Sequence, residues 1–404
     1  MLSQQTIDII KSTVPVLEVH GTEITSRFYH LLFTNHPELK NVFNQTNQRK
    51  GRQPEALANA VYAAAVNIEK LESIIPVVIQ IGHKHRSLGV KPEHYPIVGQ
   101  FLLQAIKDVV NPPEEVIAAW AEAYGVIADA FISVEADMYN KAEEQEGGWK
   151  DTRKFKVIKK EKESSVITSF YLQPVDGGKI ASYKAGQYIS ITASIPGEQY
   201  THMRQYSLSD APGNDYYRIS VKKESGTDTT PGGMVSNYLH EQVSVGSELT
   251  ISAPAGDFTL DESSTKPLVL LSGGVGITPL LSMLNTVINK GIKREVYFFH
   301  GALNSETHAF NGYIQDVVKE HSNVKSFIAY SNPTSSDLQS KNYDKEGFIT
   351  LEDLQNVLSS NVADFYFCGP TPFMKSMYKA LGEWKVDPSS IHYEIFGPAE
   401  SLAE

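Results

Sequence analysis

The 404-residue sequence predicts a multidomain fold in which an all-α domain precedes an antiparallel β-barrel domain and an α/β domain with a parallel sheet. Up to about residue 146, apolar residues recur at helical spacing, as in "EALANAVYAAAVNIEKL". Short alternating strands separated by turn residues follow. From about residue 263, fully apolar strands alternate with helical stretches. We therefore predict domains at residues 1–146, 147–262 and 263–404.

Composition and charge exclude several classes of protein. The formal net charge of −11 argues against non-specific binding to nucleic acid or to an anionic membrane. The single cysteine, Cys368, can form neither an internal disulfide nor a cysteine-rich metal site, which favours a reducing compartment. The start "MLSQQTIDIIK" does not resemble a signal peptide, and we expect no membrane span. The sequence predicts a cytoplasmic monomer with no nucleic-acid partner and no obligate protein partner.

The first domain contains one histidine that is predicted to face the interior. At 100° per residue, Ile74, Val78, Ile81 and His85 share one helix face, whereas His83 points to the opposite side, where solvent is expected. An interior imidazole needs partners for both ring nitrogens. A metal together with a hydrogen-bond acceptor would satisfy it, and so would a backbone carbonyl within an ordinary core.

Polar residues on other helices favour the ligand interpretation. Tyr29 lies in the apolar stretch "TSRFYHLLF", and Gln53 stands one turn before an apolar position of the next helix. A buried hydroxyl and amide on one side and a histidine on the other are the parts of a haem pocket. Glu135 lies at the edge of an apolar stripe and needs a donor. That donor is either a surface lysine or a buried pair formed by Tyr95 and His85.

Four segments of this domain resemble the globin domain of bacterial flavohaemoglobins: "FTNHPELKNVFN", "RQPEALANAV", "IGHKHRSLGVKPEHYPIVG" and "WAEAYGVIADAFI". The resemblance extends over the whole chain and implies haem b with His85 as the proximal iron ligand. It also implies roles around the haem for further residues: Tyr29 and Gln53 on the distal side, Phe43 on the porphyrin, Leu57 along the ligand pocket, Tyr95 and Glu135 in a relay to His85, and Lys84 towards the flavin.

The strand "RQYSLSD" predicts a flavin site in the second domain. Arg204 and Tyr206 share one strand face, so the guanidinium could bind a pyrophosphate while the phenol ring lies against an aromatic ring. Further along, "PGGMVSNYLHE" places glycines before a helix start, which suits phosphate. This set resembles the FAD domain of the ferredoxin–NADP reductase superfamily, with an FMN-only site as the alternative. The resemblance implies flavin contacts from Tyr188, Arg204, Gln205, Tyr206, Ser207, Gly233 and Ser236.

The segment "LVLLSGGVGITPLLSML" predicts a strand, a glycine loop and a helix, an arrangement that lets backbone approach a pyrophosphate at a helix N-terminus. It is not the Rossmann fingerprint, and a tight turn without a ligand is the alternative. The pattern is similar to the nucleotide loop of the same reductase superfamily. That similarity implies nicotinamide-dinucleotide contacts from Gly273, Gly274, Val275, Gly276, Ile277 and Thr278.

Two later segments complete the predicted nucleotide and flavin contacts. "YFCGPTPFM" places Cys368, Gly369 and Pro370 at the carboxyl end of a strand, where ligands of open α/β sheets bind, although Cys368 could equally be a small buried residue. "IHYEIFGPAE" resembles the closing strand of the reductase superfamily, in which Ile395 replaces a frequent cysteine. The resemblance implies that Glu394 lies between flavin and haem and that Phe396 covers the flavin. The adjoining Ile395, Gly397 and Pro398 are assigned to the same site.

The three predicted sites have a natural order. A nicotinamide delivers two electrons at once, a haem accepts one, and FAD can divide the pair. With haem b, FAD and NADH or NADPH, the family resemblance implies a nitric oxide dioxygenase that detoxifies NO by converting NO and O2 to nitrate. An NADH oxidase or haemoglobin reductase and an O2-binding protein are the alternatives. No arginine follows "VYFFHGALNSETH" to receive a 2′-phosphate, which favours NADH over NADPH.

Overall fold

A computed structural model describes residues 2–44, 47–48, 50–227, 231–397 and 402. An all-α part, an antiparallel six-stranded barrel and a parallel six-stranded sheet follow one another along the described chain, so the predicted fold class is confirmed. The chain divides into two units, and the predicted domain bounds remain predictions. One unit comprises Met1–Arg153, Ser190–Arg204 and Ile251–Ala255, and the other comprises Lys154–Ile189, Gln205–Thr250 and Gly256–Glu404.

The all-α part consists of amphipathic helices around one apolar core. Prolines in the first turns of the second and fourth helices suit those positions, because an N–H there has no partner within the helix. Gly89, with φ of 77°, ends the fourth helix in the left-handed conformation that glycine tolerates. The helices are α1 (Gln4–Ser12), α2 (Val14–Asn35), α3 (Arg52–Val66), α4 (Ile75–Leu88), α5 (His94–Val110) and α6 (Glu114–Glu144), with 3-10 turns at Pro37–Asn41 and Ile68–Ile74.

Helix α6 is long and apolar enough, by length and composition, to cross a membrane, which the sequence analysis did not anticipate. The same test is passed by core helices of globular domains. Ile117, Ala119, Trp120 and Ala123 of α6 are buried in the apolar core of the all-α part. The test is therefore weak evidence for a membrane span.

The first barrel strand, β1 (Thr152–Lys162), alternates buried and exposed residues around Phe155 and Val157, whereas β2, β3 and β5 are buried at most positions. The strand order of the sheet is β4-β3-β6-β1-β2-β5, and a bridge between Leu208 and Ile219 joins its two ends, so that the barrel is nearly closed. One short helix follows β5. The elements are β1 (Thr152–Lys162), β2 (Ile167–Pro174), β3 (Tyr188–Ala193), β4 (His202–Ser207), β5 (Tyr217–Lys222), α7 (Met234–Glu241) and β6 (Glu248–Ser252).

The last sheet is parallel, in the order β10-β9-β8-β7-β11-β12. Helices cover both faces, so Leu268 and Leu270 of β7 pack on one side while Val269 and Leu271 pack on the other, which explains its continuous apolar sequence. The elements are β7 (Leu268–Gly273), α8 (Ile277–Asn289), β8 (Val296–Ala302), α9 (Asn311–Glu320), β9 (Val324–Tyr330), α10 (Ser335–Ser340), β10 (Lys345–Glu346), α11 (Leu351–Val357), β11 (Asp364–Cys368), α12 (Thr371–Glu383) and β12 (Ile391–Glu394).

Replacing Gly186 by alanine is expected to destabilise the protein by about 2–4 kcal/mol. Gly186 has φ of 105°, and an added Cβ would lie 2.1 Å from the carbonyl oxygen of Phe258. Gly177→Ala is the control, since φ there is also positive, at 68°, but no atom lies within 4 Å of an added Cβ. Urea unfolding of both variants measures the difference. Equal losses of stability would show that the Phe258 contact is irrelevant.

Candidate functional site

A buried carboxylate joins three helices of the all-α part. Glu135 of α6 is 3% exposed, and its Oε1 accepts a hydrogen bond of 2.7 Å from the Tyr95 hydroxyl of α5. The same oxygen lies 2.7 Å from Nδ1 of His85 on α4, and this nitrogen is also 3.2 Å from the Tyr95 hydroxyl. The structure therefore brings these three predicted residues together, with no lysine needed as the donor.

The geometry suits a histidine that offers its other nitrogen to a metal. An ionised carboxylate has no proton to donate and can only accept hydrogen bonds. Nδ1 of His85, which faces it, therefore carries the proton, and Nε2 keeps its lone pair. In the part of the chain that the structure describes, both hydrogen-bonding contacts of the His85 ring involve Nδ1, and the side chain remains 33% exposed. Burial, with the Glu135 carboxylate adding to it, raises the pKa of Tyr95, so this phenol stays a donor. These residues fit a haem.

The helix of His85 is anchored by its next residue. The buried Arg86 guanidinium donates hydrogen bonds to the carbonyl oxygens of Ala253 and Pro254. Lys84 precedes His85, and its carbonyl accepts a 2.8 Å hydrogen bond from the Ser87 hydroxyl. His83 is half-buried and its Nδ1 is inaccessible, so the predicted solvent exposure of this side chain holds only in part.

A second polar group is buried in the same part of the chain. Tyr29 of α2 is 6% exposed, and its ring centroid lies 5.8 Å from that of Phe33 and 5.7 Å from that of Phe43. Burial raises the pKa of Tyr29, and the nearby side-chain amides of Gln53 and Gln48 only partly oppose this rise. The phenol therefore keeps its proton at neutral pH.

Two predictions concern the surroundings of Tyr29. Leu57, one turn after Gln53 on α3, packs against the apolar core, as does Phe43. Gln48 was missed by sequence reasoning. It lies in "NQTNQRKGRQP", where several amides follow one another without a periodic apolar neighbour to show which one points inward.

The predicted flavin residues of the barrel lie on two strands, β3 and β4. Tyr188 begins β3 and is buried, and its Cε1 would lie 3.0 Å from a Cβ added at Gly256, whose φ is 113°. On β4, Arg204 and Tyr206 are half-buried, as expected for two residues on one strand face. Between and after them, Gln205 is exposed and Ser207 is buried.

The predicted phosphate turn lies at the start of α7. Gly233 is the N-terminal cap of this helix, and an added Cβ would lie 2.6 Å from the Ser236 hydroxyl. That hydroxyl donates to the Gly233 carbonyl at 3.0 Å and accepts from the Glu224 amide at 3.3 Å. The close contact with Ser236 therefore favours glycine at this position, and the helix N-terminus that follows fits a phosphate group.

The glycine loop and the Cys368 turn meet at the carboxyl edge of the parallel sheet. Ser272 of β7 pairs with Cys368 of β11. A Cβ added at Gly276 would lie 2.1 Å from the Cys368 carbonyl oxygen, and one at Gly273 would lie 3.1 Å from Pro370. Close packing thus requires glycine here. The absent side chains also leave backbone accessible to a dinucleotide, so packing and ligand binding are compatible explanations.

The remaining nucleotide-site predictions lie around this edge. Gly274 has φ of 52°, Val275 is half-buried, and Ile277 and Thr278 are buried at the start of α8. A Cβ added at Gly369 would lie 2.7 Å from the Phe373 ring. Cys368 is fully buried, and burial and the Glu394 charge raise the pKa of its thiol, which argues against thiolate chemistry.

The closing strand brings Glu394 to the same edge. Glu394 ends β12 and pairs with Cys368. Beyond it, Ile395 is partly buried in an apolar cluster, Phe396 is 46% exposed, and Gly397 donates a 2.9 Å hydrogen bond to the Ile395 carbonyl. Pro398 lies outside the described residues.

A pair of histidines near this edge was not anticipated. The buried rings of His300 and His308 lie 4.4 Å apart. Nδ1 of His300 is 2.7 Å from the Ser272 hydroxyl, and Nδ1 of His308 is 3.0 Å from the Tyr330 hydroxyl. Burial lowers the pKa of His308 to about 4 and that of His300 well below its ordinary value. Both rings are neutral at pH 7.

Comparison with known families agrees with this architecture. The family described as "Globin" matches residues 26–131, "Oxidoreductase FAD-binding domain" matches residues 154–260, and "Oxidoreductase NAD-binding domain" matches residues 270–379. The flavohemoprotein of Bacillus thuringiensis subsp. konkukian is 62% identical over 402 residues, and that of Bacillus subtilis is 54% identical over 406 residues. Both alignments cover 100% of each chain.

Two solved structures are similar as well. The flavohemoglobin of Malassezia yamatoensis, with bound FAD and heme, has a TM-score of 0.84 at 28% identity and covers 98% of this chain and 100% of its own. The "Flavohem-like-FAD/NAD Binding Domain of Nitric Oxide Dioxygenase" from Vibrio cholerae has a TM-score of 0.56 at 37% identity. It covers 62% of this chain and 100% of its own.

A globin joined to flavin and nicotinamide domains defines an NAD(P)H-dependent oxidoreductase that uses haem and flavin. The chain belongs to the flavohemoprotein family. Its cofactors are haem, FAD and a nicotinamide dinucleotide, which decides between FAD and FMN in favour of FAD.

His85→Ala is expected to abolish stable haem binding while flavin is retained, because the variant lacks the Nε2 that we assign to iron. His83→Ala, two residues away on the same helix, is the control and should keep its haem. The Soret absorbance and flavin content of both purified variants test this assignment. A normal Soret band in His85→Ala would contradict it.

His308→Gln is expected to reduce the acid sensitivity of folding. Because the folded pKa of about 4 lies below the unfolded value, the unfolded chain binds more protons between about pH 6.5 and 4, and stability falls as the pH drops through this window. Above it the histidine has no effect. Near pH 4 the loss amounts to about 3 kcal/mol.

Denaturant unfolding from pH 7 to 4 measures this effect in the wild type and in His308→Gln. His321→Gln is the control, since His321 belongs to the same domain but is only half-buried. An identical pH dependence in the wild type and His308→Gln would contradict the assignment.

Proposed function

We propose that this flavohemoprotein is a nitric oxide dioxygenase, which converts NO and O2 to nitrate with electrons from NAD(P)H. The main support is the buried phenol of Tyr29 beside the Gln53 amide in a globin domain fused to a reductase. The name of the similar Vibrio cholerae protein also supports it. When bound, the nicotinamide would supply a hydride, and the flavin would pass on the two electrons of that hydride one at a time. The haem would supply a one-electron redox centre.

On the proximal side, the protein fixes one imidazole. The Glu135 carboxylate, 2.7 Å from Nδ1 of His85, selects the tautomer in which Nε2 is the ligand atom. Tyr95 donates to the same carboxylate and holds it in place. A carboxylate behind an imidazole increases the electron donation of that ring, which suits oxygen chemistry better than simple O2 storage.

On the distal side, the protein supplies a proton donor in an apolar setting. The ring of Tyr29 is packed against Phe33 and Phe43, which restricts its movement and excludes water. Because the Gln53 amide acts on the phenol as a hydrogen-bond donor, the proton of Tyr29 itself can point to a substrate oxygen. A preorganised donor of this kind stabilises negative charge that develops on oxygen.

In the reductase part, the predicted contacts hold the other two cofactors. The edge formed by Gly273–Gly276 and Cys368–Pro370 would bind the nicotinamide dinucleotide, and Arg204, Tyr206 and the turn at Gly233 would bind FAD. A preference for NADH over NADPH stays part of the proposal, as do cytoplasmic location and action without an obligate protein partner.

Tyr29→Phe is expected to reduce nitrate formation by about 10²-fold, the loss typical of removing one preorganised donor. O2 dissociation should become faster, since the donor no longer holds it. Electron flow from NADH to an added cytochrome should be unchanged, and this serves as the internal control for both reductase cofactors. Nitrate yield per NADH consumed and O2 dissociation are the measurements.

The wild-type protein separates the proposal from its alternatives. Consumption of NADH in air with superoxide formation and no nitrate from NO would identify an NADH oxidase instead. An unchanged O2 dissociation rate in Tyr29→Phe would refute the distal assignment without refuting the reaction.

A further inference from the structure

Asp210 occupies a position that the cofactor assignments leave unexplained. It follows the flavin strand β4 by three residues, and its side chain is 13% exposed. Its Oδ1 accepts a 2.8 Å hydrogen bond from the Asn285 amide. Its Oδ2 accepts a 2.9 Å hydrogen bond from the Tyr216 hydroxyl and lies 3.5 Å from the Arg218 guanidinium. Asp210 thus links barrel residues to a residue of the parallel-sheet domain.

The partners in the other domain lie on α8, the helix that follows the glycine loop directly. Ser282 and Asn285 are buried polar residues, three positions apart and therefore on the same face of a mostly apolar helix. The Ser282 hydroxyl donates to the backbone carbonyl of Asp210 at 2.5 Å. The side-chain oxygen of Asn285 accepts a 2.9 Å hydrogen bond from Tyr313. Buried polar groups require partners, and Asp210 supplies one for each of these two side chains.

These contacts connect the two segments that must be aligned for electron transfer to the flavin. Strand β4 carries the predicted flavin residues Arg204 to Ser207, and α8 begins where the predicted pyrophosphate loop ends. A shift of α8 along or away from β4 would therefore move the nicotinamide relative to the flavin. Such transfers are sensitive to small displacements, since a 1 Å misplacement can cost about 10²-fold in rate.

We propose that Asp210 is a positioning residue for hydride transfer, which sets the distance between nicotinamide and flavin through its hydrogen bonds to Ser282 and Asn285. In this step one hydride, with two electrons, moves from NADH to FAD, which yields NAD+ and the reduced flavin anion. The proposal concerns the reductase reaction and does not depend on NO as the substrate.

The hydrogen bond between the Asp210 carboxylate and the Asn285 amide provides a specific test. Asn285→Asp places two carboxylates at hydrogen-bond distance, and their repulsion should separate α8 from the barrel. Asp210→Asn keeps a neutral acceptor for Asn285 and should have a smaller effect. The exchanged double variant, Asp210→Asn with Asn285→Asp, restores one amide facing one carboxylate, and the carboxylate at 285 can still accept from Tyr313.

The experiment measures flavin reduction by NADH in anaerobic stopped-flow with the complete holoprotein. In Asn285→Asp, we expect reduction at saturating NADH to slow by about 10-fold or more and to show a larger isotope effect with 4-deuterated NADH. Flavin content, and affinity for NAD+ by calorimetry, should stay within about 3-fold of wild type. The double variant should recover to within about 3-fold of the wild-type rate.

Asp215→Asn is the matched control. Asp215 lies in the same turn, and its Oδ2 accepts a 3.0 Å hydrogen bond from Gln173 of the barrel. This variant should reduce its flavin at the wild-type rate. A purely structural role for Asp210 would lower the melting temperature of Asn285→Asp but leave the rate per bound flavin unchanged.

Three results would overturn the proposal: a wild-type rate in Asn285→Asp, an equal slowing in Asp215→Asn, or a double variant as slow as Asn285→Asp. If Asn285→Asp does not fold, Ser282→Ala removes only a hydroxyl and should still slow reduction by about 3-fold or more, and an unchanged rate there also refutes the proposal. Absence of nitrate production by the wild type would refute the dioxygenase function alone.

Discussion

The geometry of the haem side of this protein depends on the burial of one carboxylate, that of Glu135. An ionised group removed from water is costly unless donors surround it, and Glu135 meets this requirement by contacting both Tyr95 and His85. The three residues lie on α6, α5 and α4, so the same hydrogen bonds that satisfy the carboxylate also hold three helices in register. These hydrogen bonds fix the tautomer of the His85 imidazole. They also fix the orientation of its ring, which could otherwise rotate about the side-chain bonds.

The reductase part obeys a different constraint, the close packing of backbone at the edge of a parallel sheet. Gly276 and the carbonyl of Cys368 are separated by more than ninety residues in sequence but touch because β7 and β11 are neighbours. Apolar strands buried on both faces leave this edge as the place where polar backbone groups can meet a ligand. Helix α8 starts at the same edge and continues to Ser282 and Asn285, so loop, helix and barrel contacts form one connected structure.

The fold class followed from sequence because each part has its own periodicity, and the meeting of Glu135, Tyr95 and His85 followed because an inward histidine and an edge carboxylate each need a partner. The contacts of Gln48, His300, His308 and Asp210 could not be predicted in this way. Their partners come from distant segments, and the position of a residue in the sequence does not reveal which distant side chain it contacts. His83 shows a further limit, since a helical wheel gives the direction of a side chain but not the degree to which it is buried. The roles of the individual site residues remain predictions.

Arg86, the residue after His85, anchors the helix that carries this histidine. Its guanidinium is bound to two main-chain oxygens of Ala253 and Pro254, which no side-chain substitution at those positions would remove. A guanidinium also keeps its charge at any pH at which a protein remains folded. Substitutions at positions 253 and 254 and a fall in pH should therefore both leave the end of helix α4 attached to this segment.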